Sequence, residues 1–483
     1  MRNRIPTTRR ALPLLVPAGV AVLLLVVALV AAGALAGSAR AAGIPFTFHT
    51  TAFPLPPVDP AHYPYAGTGV APLVDPGTHD AQGVRMRLVE GRLYNYPGAQ
   101  ASWGMDNLNS YLVTSDTFYL DRAVLQAQRL VDTSRHVGDA WFFPSLYRRD
   151  RHAYRNDPMV PPWYSCLGQG AGLALFCRLY EVTGDRQWAD AATGAFSAFL
   201  VKGPRKGAWI TDVDHGYLWF EEWPKPILDH TINGFGFGAL GVYEYWRVFK
   251  DDRAEQLFCG ATTTLLHVFP EFRKPGWVSR YCLLHRVGNR GYHLVHRSQF
   301  LKFYTLTGDA RFARDADLLR QDFPNPGQID GTCHLQPGVY RVWKFRASGE
   351  VLKTGTLRVD TAQDVRISAR ERIRGRGIYE KLAEGPAAGF SILERPGHVY
   401  CPGQADWADY VPSRRLVLQA GAAYAGEAID TAGNVLDVKT VVPDAPETVT
   451  FSRRAAVNGV DSLLVDSGSL AGYWLPSADL TTD

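Results

Sequence analysis

Tyr180-Glu181-Val182-Thr183-Gly184-Asp185 is the stretch that decides the fold, because the chain repeats it. Tyr304-Thr-Leu-Thr-Gly-Asp309 is a second copy, Tyr111-Leu-Val-Thr-Ser-Asp116 carries serine for the glycine, and a degenerate copy runs from Tyr245 to Asp251. The four aspartates fall 69, 66 and 58 residues apart, and alanine follows three of them by seven positions, at Ala123, Ala192 and Ala316. An amphipathic helix that ends near the tyrosine, turns on glycine or serine and restarts at the aspartate explains the pattern. The aspartate accepts hydrogen bonds from the free N–H groups of the new helix, and glycine tolerates the left-handed turn. Apolar residues then return at helical spacing, as Ala123, Val124, Ala127, Leu130 and Val131 and again as Trp188, Ala191, Ala195 and Phe199. Such antiparallel pairs predict a mainly α fold over 83–323, an (α/α) toroid whose inner helices line a cleft. Four hairpins are visible, so the expected ring is incomplete.

Outward from this region the pattern changes on both sides. Residues 44–82 are rich in proline and read as an extended arm or linker. Before them, Arg2, Arg4, Arg9 and Arg10 precede an apolar run from Ala11 to Ala36, followed by Ala39-Arg40-Ala41. Residues 1–43 therefore read as a signal peptide or uncleaved signal anchor, with the remainder secreted or extracytoplasmic. After residue 323 the period becomes two, as in Val365-Arg-Ile-Ser-Ala369 and Val449-Thr-Phe-Ser-Arg453. Leu335-Gln-Pro-Gly338 returns as Leu418-Gln-Ala-Gly421, and Gly349-Glu-Val-Leu352 as Gly433-Asn-Val-Leu436. Two small β-sandwich-like modules are expected, at 324–400 and 401–483, with a structural role favoured over glycan binding.

The 483 residues carry a net charge of only +4, which argues against a nucleic-acid partner. Arg148, Arg149 and Arg151 form a basic cluster suited to steering an anionic polymer, or simply a solvated loop. The six cysteines include no C-x-x-C pair, so no metal site is expected from cysteine pairs. Cys166, Cys177 and Cys259 read as buried thiols, and Cys333 with Cys401 as the pair a disulfide would join. Gly236-Phe-Gly238-Ala-Leu-Gly241 fits G-x-G-x-x-G, yet it continues a helix instead of following a strand. It reads as close helix packing, and no cofactor is expected.

Polar and aromatic residues concentrate between Trp163 and Gln299. Pro162-Trp163-Tyr164-Ser165, Gly168-Gln169, Phe220-Glu221-Glu222 with Pro224, Asn233-Gly234-Phe235, and Tyr292-His293 with His296 and Gln299 stand in order. This ordered set resembles the D-glucuronyl C5-epimerases, over roughly 90–323. The resemblance implies an isomerase that inverts C5 of glucuronate within an acidic, heparosan-like polysaccharide. It implies Glu222, Tyr281 and Tyr292 as catalytic groups. Trp163, Tyr164, Gln169, Trp223, Asn233, His285, His293, His296 and Gln299 are the expected substrate contacts.

The chemistry explains the residue types. The C5 proton lies α to a carboxylate, so its removal builds a dianionic enolate that needs a cation and a proton carrier on each face of the sugar. Phenols serve if neighbouring cations lower their pKa from about 10. Two positions depart from the family: Trp223 stands for a tyrosine and Leu284 for an arginine, with Arg280, Arg286 or His285 as candidate replacement cations. A polysaccharide lyase sharing the carbanion step and a non-catalytic glycan-binding protein are the rival readings. A glycoside hydrolase is a more distant one, lacking a clearly placed second acid. The oligomeric state is open, a homodimer among the options, and a membrane is met only through an uncleaved N-terminal segment.

Overall fold

The computed structural model describes residues 43–152, 154–324, 331–478 and 480. The leader expected at 1–43 lies outside them except for its last residue. Among the described residues no helix is long and apolar enough to cross a membrane.

Four helical hairpins build the first part: α1 (Pro97–Thr114) with α2 (Thr117–Asp132), α3 (Cys166–Thr183) with α4 (Arg186–Ser197), α5 (Ile232–Phe249) with α6 (Asp252–Phe272), and α7 (Arg290–Thr307) with α8 (Ala310–Asp322). The repeat that predicts them sits at the turns. Ser115, Gly184, Lys250 and Gly308 take the left-handed conformation. Asp116, Asp185, Asp251 and Asp309 then accept the N–H two residues on, from Phe118, Gln187, Arg253 and Arg311. The first helices pack on each other in sequence, α1 on α3, α3 on α5 and α5 on α7. The closeness of α3 and α5 is enforced by glycine, since a Cβ at Gly241 would stand 2.3 Å from the Gly170 carbonyl oxygen. That is the packing role read from the G-x-G-x-x-G stretch.

Short antiparallel hairpins lie before and between the helix pairs. They are β1 (Met86–Val89) with β2 (Arg92–Asn95), β3 (Arg135–Val137) with β4 (Ala140–Phe142), β5 (Arg149–Arg151) with β6 (Tyr154–Met159), and β7 (Thr211–Asp214) with β8 (Tyr217–Phe220). The proline-rich stretch is docked onto the helices. Asn109 donates to the Tyr65 carbonyl at 2.8 Å, the Tyr65 hydroxyl to the Phe237 carbonyl at 3.1 Å, and Lys302 to the His62 carbonyl at 2.9 Å. It thus joins α1, α5 and α7.

The tail forms two antiparallel sheets. Strands β9 (Thr332–Leu335), β10 (Gly338–Phe345), β11 (Val351–Val359), β12 (Gln363–Arg372), β13 (Ile378–Leu382), β14 (Ser391–Leu393) and β15 (Val399–Tyr400) are ordered β11-β10-β14-β13-β12-β9-β15. Strands β16 (Gln404–Leu418), β17 (Tyr424–Ile429), β18 (Val435–Val441), β19 (Glu447–Val457), β20 (Val460–Val465) and β21 (Trp474–Pro476) are ordered β18-β17-β21-β20-β19-β16. Apart from β15, which has no counterpart in the second sheet, the two orders agree strand for strand, so the repeated sequence is a repeated topology. Gly349 and Gly433 occupy the same left-handed hairpin position, at φ 87° and 88°. Each module is one connected sheet. Cys333, on β9, and Cys401, just after the neighbouring β15, remain free thiols, which corrects the expected disulfide. Cys401 is turned instead toward a Glu380 carboxylate oxygen at 3.4 Å.

The second sheet is tied to the last helical hairpin through buried charge. Asp317 of α8 accepts from Tyr410 at 2.5 Å and from Arg414 and Arg454 at 3.0 Å each. Arg297 of α7 pairs with Asp406 at 2.5 Å.

Candidate active site

Three loops beside the starts of α5 and α7 meet at Glu222. The β7–β8 hairpin delivers Glu221 and Glu222 in succession, and their carboxylates diverge. Glu221 accepts from His230 at 2.7 Å, and the opposite ring nitrogen of that histidine faces Asp214 at 3.1 Å, so Glu221 braces the loop. Glu222 turns the other way and receives the Tyr281 hydroxyl at 3.3 Å from both oxygens. It can do so because Gly234 lies beneath it: a Cβ there would fall 2.4 Å from the Glu222 Oε2.

Tyr281 is held by its backbone, which accepts from Ile232 at the start of α5 at 3.0 Å and donates to Val287 at 2.7 Å. Tyr292 sits in the first turn of α7, where Asn289 caps its N–H at 3.1 Å. The two rings pack on each other, with centroids 4.4 Å apart and planes tilted by 34°. Glu222, Tyr281 and Tyr292 thus form a continuous row, buried at Glu222 and half-exposed at Tyr292. The pocket beside them is lined by Tyr96, Trp163, Ser165, Gly168, Glu222 and Trp223.

The electrostatics reverse one expectation. Burial pushes the Glu222 carboxyl up to about 8 against the partial opposition of Arg149. Burial and the Glu222 charge push both phenols up as well, Tyr281 far above its ordinary value. The phenols are not lowered toward neutrality. They are neutral proton donors, and the titratable base among the three is the carboxylate.

The basic cluster separates into three roles. Arg148 faces solvent, and Arg151 is buried in an ion pair with Asp157. Arg149 lies over the Trp223 ring at 5.1 Å, and its Nη1 is buried without a hydrogen-bond partner among the described residues. Its charge acts on Glu222, opposing the upward push of burial on that carboxyl. Arg280 donates to the Glu271 carbonyl at 2.6 Å, and Arg286 faces solvent. The Asn233 amide is also buried, and neither of its polar atoms has a hydrogen-bond partner among the described residues. Orphaned buried polar groups of this kind are costly unless a ligand completes them.

The other expected residues divide. Trp163 and Trp223 pack 5.3 Å apart and wall the pocket. Tyr164 is buried against Phe142, and Gln169 donates to the Trp141 carbonyl at 2.7 Å, so both brace the wall from behind. His293 faces the Ser279 N–H at 2.9 Å and the Leu319 carbonyl at 2.9 Å. His296 meets the Ser279 hydroxyl at 2.9 Å, and Gln299 donates to the Asn233 carbonyl at 2.9 Å. These last three point into the helical core instead of the pocket, because α7 turns that face toward α8 and α5. His285 lies behind Tyr281 in a cluster with His152, Asp229 and Cys282, the group among the described residues whose donor atoms could hold a metal ion. Sequence reading missed His152 and Asp229, which no motif marks.

Comparison with known proteins agrees with the resemblance read from the motifs. Residues 143–320 match the family model described as the D-glucuronyl C5-epimerase C-terminus. An uncharacterized protein of Methanocaldococcus jannaschii is 27% identical over 149 residues, which are 30% of this chain and 48% of that protein. A D-glucuronyl C5-epimerase of Caenorhabditis elegans is 23% identical over 163 residues, 30% of this chain and 26% of that protein. The chain therefore spans about half of the first relative and a quarter of the second. Among solved structures, a cellobiose 2-epimerase from Bacillus thermoamylovorans is similar at 14% identity and a TM-score of 0.36, over 47% of this chain and 59% of that one.

Proposed function

We propose that the chain is a carbohydrate epimerase that inverts C5 of a uronate within an acidic polysaccharide, met outside the cytoplasm. The observation that carries this reading is the Glu222–Tyr281–Tyr292 row, a buried carboxyl that accepts from one neutral phenol, with a second phenol packed on the first, beside an uncompleted guanidinium.

The C5–H bond breaks toward Glu222, which takes the proton, and the electron pair enters the sugar carboxylate as an enolate. Arg149 opposes the charge that develops there, in a site walled from water by Trp163 and Trp223. Tyr292 gives its proton to C5 from the other face and keeps the O–H electron pair. Tyr281 reprotonates Tyr292 and is reprotonated by Glu222, so the row returns to its starting state with no net proton gained or lost. Trp223 carries no proton in this scheme, and the row is complete without the tyrosine that the family has there.

A glucuronate polymer incubated with the protein is expected to gain L-iduronate units while keeping its chain length. New unsaturated ends absorbing in the ultraviolet would make it a lyase. New reducing ends without unsaturation would make it a hydrolase. Binding without any change to the polymer would overturn all three.

A further inference from the structure

Behind Tyr281 four side chains from three separate segments converge. His152 comes from the turn between β5 and β6, Asp229 from the loop before α5, and Cys282 and His285 from the loop after α6. One donor atom from each lies within 4.8 Å of all the others. Asp229 and Cys282 are fully buried, and the side chains of His152 and His285 are only 3% and 12% exposed.

Hydrogen bonding alone leaves this arrangement overcrowded. His285 Nδ1 faces Asp229 Oδ1 at 3.0 Å and Cys282 Sγ at 3.6 Å, so a single ring hydrogen would have two acceptors to serve. On its far side His285 Nε2 faces the Asp157 carboxylate at 3.3 Å. A carboxylate on that nitrogen holds the ring hydrogen there and leaves the Nδ1 lone pair turned into the cluster, the arrangement that orients metal-bound imidazoles. Thr231 donates to Asp229 at 2.7 Å and fixes that carboxylate in turn.

The loop has a second, independent feature. Cys282-Leu-Leu-His285 bends back so that the His285 N–H donates to the Cys282 sulfur at 3.4 Å, and the next residue, Arg286, takes a left-handed φ of 55°. The bend presents both side-chain donors of a C-x-x-H pair to one point. Around a tetrahedral ion with bonds of about 2.0–2.3 Å, ligand atoms sit roughly 3.5 Å apart. The 3.6 Å between Cys282 and His285 suits that spacing.

We propose that His152, Asp229, Cys282 and His285 bind one divalent cation of the zinc class. A thiolate and two imidazoles select a borderline-soft ion and not calcium or magnesium, which take oxygen ligands. The site goes beyond the epimerase reading and does not depend on it. The ion joins the β5–β6 hairpin, which carries Arg149, to the loop that carries Tyr281, whose ring packs 4.7 Å from that of His152. Its role is positioning: it fixes the cation and the phenol relative to each other.

The test is metal content and spectrum on the full-length chain, with no activity required. After equilibration with Zn2+ and desalting, one ion per chain is expected. With Co2+ in its place, an intense thiolate-to-metal absorption with tetrahedral visible bands is expected. Cys282→Ser should remove the thiolate band. His152→Ala should weaken retention at least tenfold, and Asp157→Asn about 10–100-fold. Failure of the wild-type chain to retain Zn2+, or a Co2+ spectrum without a thiolate band, overturns the site even if no variant folds. Retention unchanged in folded Cys282→Ser and His152→Ala overturns it equally.

Discussion

At the residue scale the burial of Glu222 beside two phenols sets a pH dependence of definite sign. Its carboxyl has an ordinary value of 4.5 and is pushed up to about 8 in the fold. Between those values the folded state holds more protons than the unfolded one. The stabilisation is full below about pH 4.5 and is lost as pH rises through about 8, at about 1.4 kcal/mol per pH unit. Glu222→Gln cannot ionise, so urea unfolding at several pH values should show the wild type losing stability relative to this variant across that window. Parallel stability curves would contradict the burial argument. Epimerisation, which needs the carboxylate, should rise about tenfold per unit of pH until about pH 8. Tyr292→Phe should lower the rate by roughly 10²–10⁴-fold while polymer binding persists. The ordered motifs made Glu222, Tyr281 and Tyr292 legible in the sequence, but not which way each charge is pushed, since desolvation is set by neighbours far along the chain. Arg149 was visible as one of three arginines, and only the β5–β6 hairpin separates it from the solvated and ion-paired members of that cluster.

Elements were the most legible scale, because each hairpin turn uses local chemistry. A tyrosine, a left-handed residue and a capping aspartate are adjacent in sequence and act within a few residues. Asp185→Ala removes the hydrogen bond to the Gln187 N–H and should cost about 1 kcal/mol in thermal or urea unfolding, with the site chemistry unchanged. Gly241→Ala is the harsher change, as its Cβ would meet the Gly170 backbone and neither helix can yield easily. A loss of about 1–3 kcal/mol is expected, and a neutral outcome would refute the close approach of α3 and α5. The direction of the α7 face was not legible. His293, His296 and Gln299 follow Tyr292 at helical spacing that suits either a cleft or a core, and only the docking of α8 and α5 decides for the core.

For the whole molecule, the tail is a duplicated sheet module fastened to the last helical hairpin by Asp317, Arg414 and Arg454. Duplication was readable from Gly349 and Gly433, whose left-handed turns recur, whereas the buried ion pairs link residues 97 and 137 positions apart and leave no local signal. Asp317→Ala removes the carboxylate that Tyr410, Arg414 and Arg454 share, while Arg454 keeps Asp461, and should destabilise by roughly 1–3 kcal/mol, measured by urea unfolding, with the sheet becoming more open to proteolysis. The central claim, that Glu222 and the paired phenols exchange the C5 proton of a uronate, is tested most directly in heavy water. The account expects deuterium at C5 of a glucuronate polymer with its chain intact, and none with Glu222→Gln. A wild-type protein that binds the polymer without placing deuterium at C5, or a folded Glu222→Gln that exchanges as fast as the wild type, would contradict it.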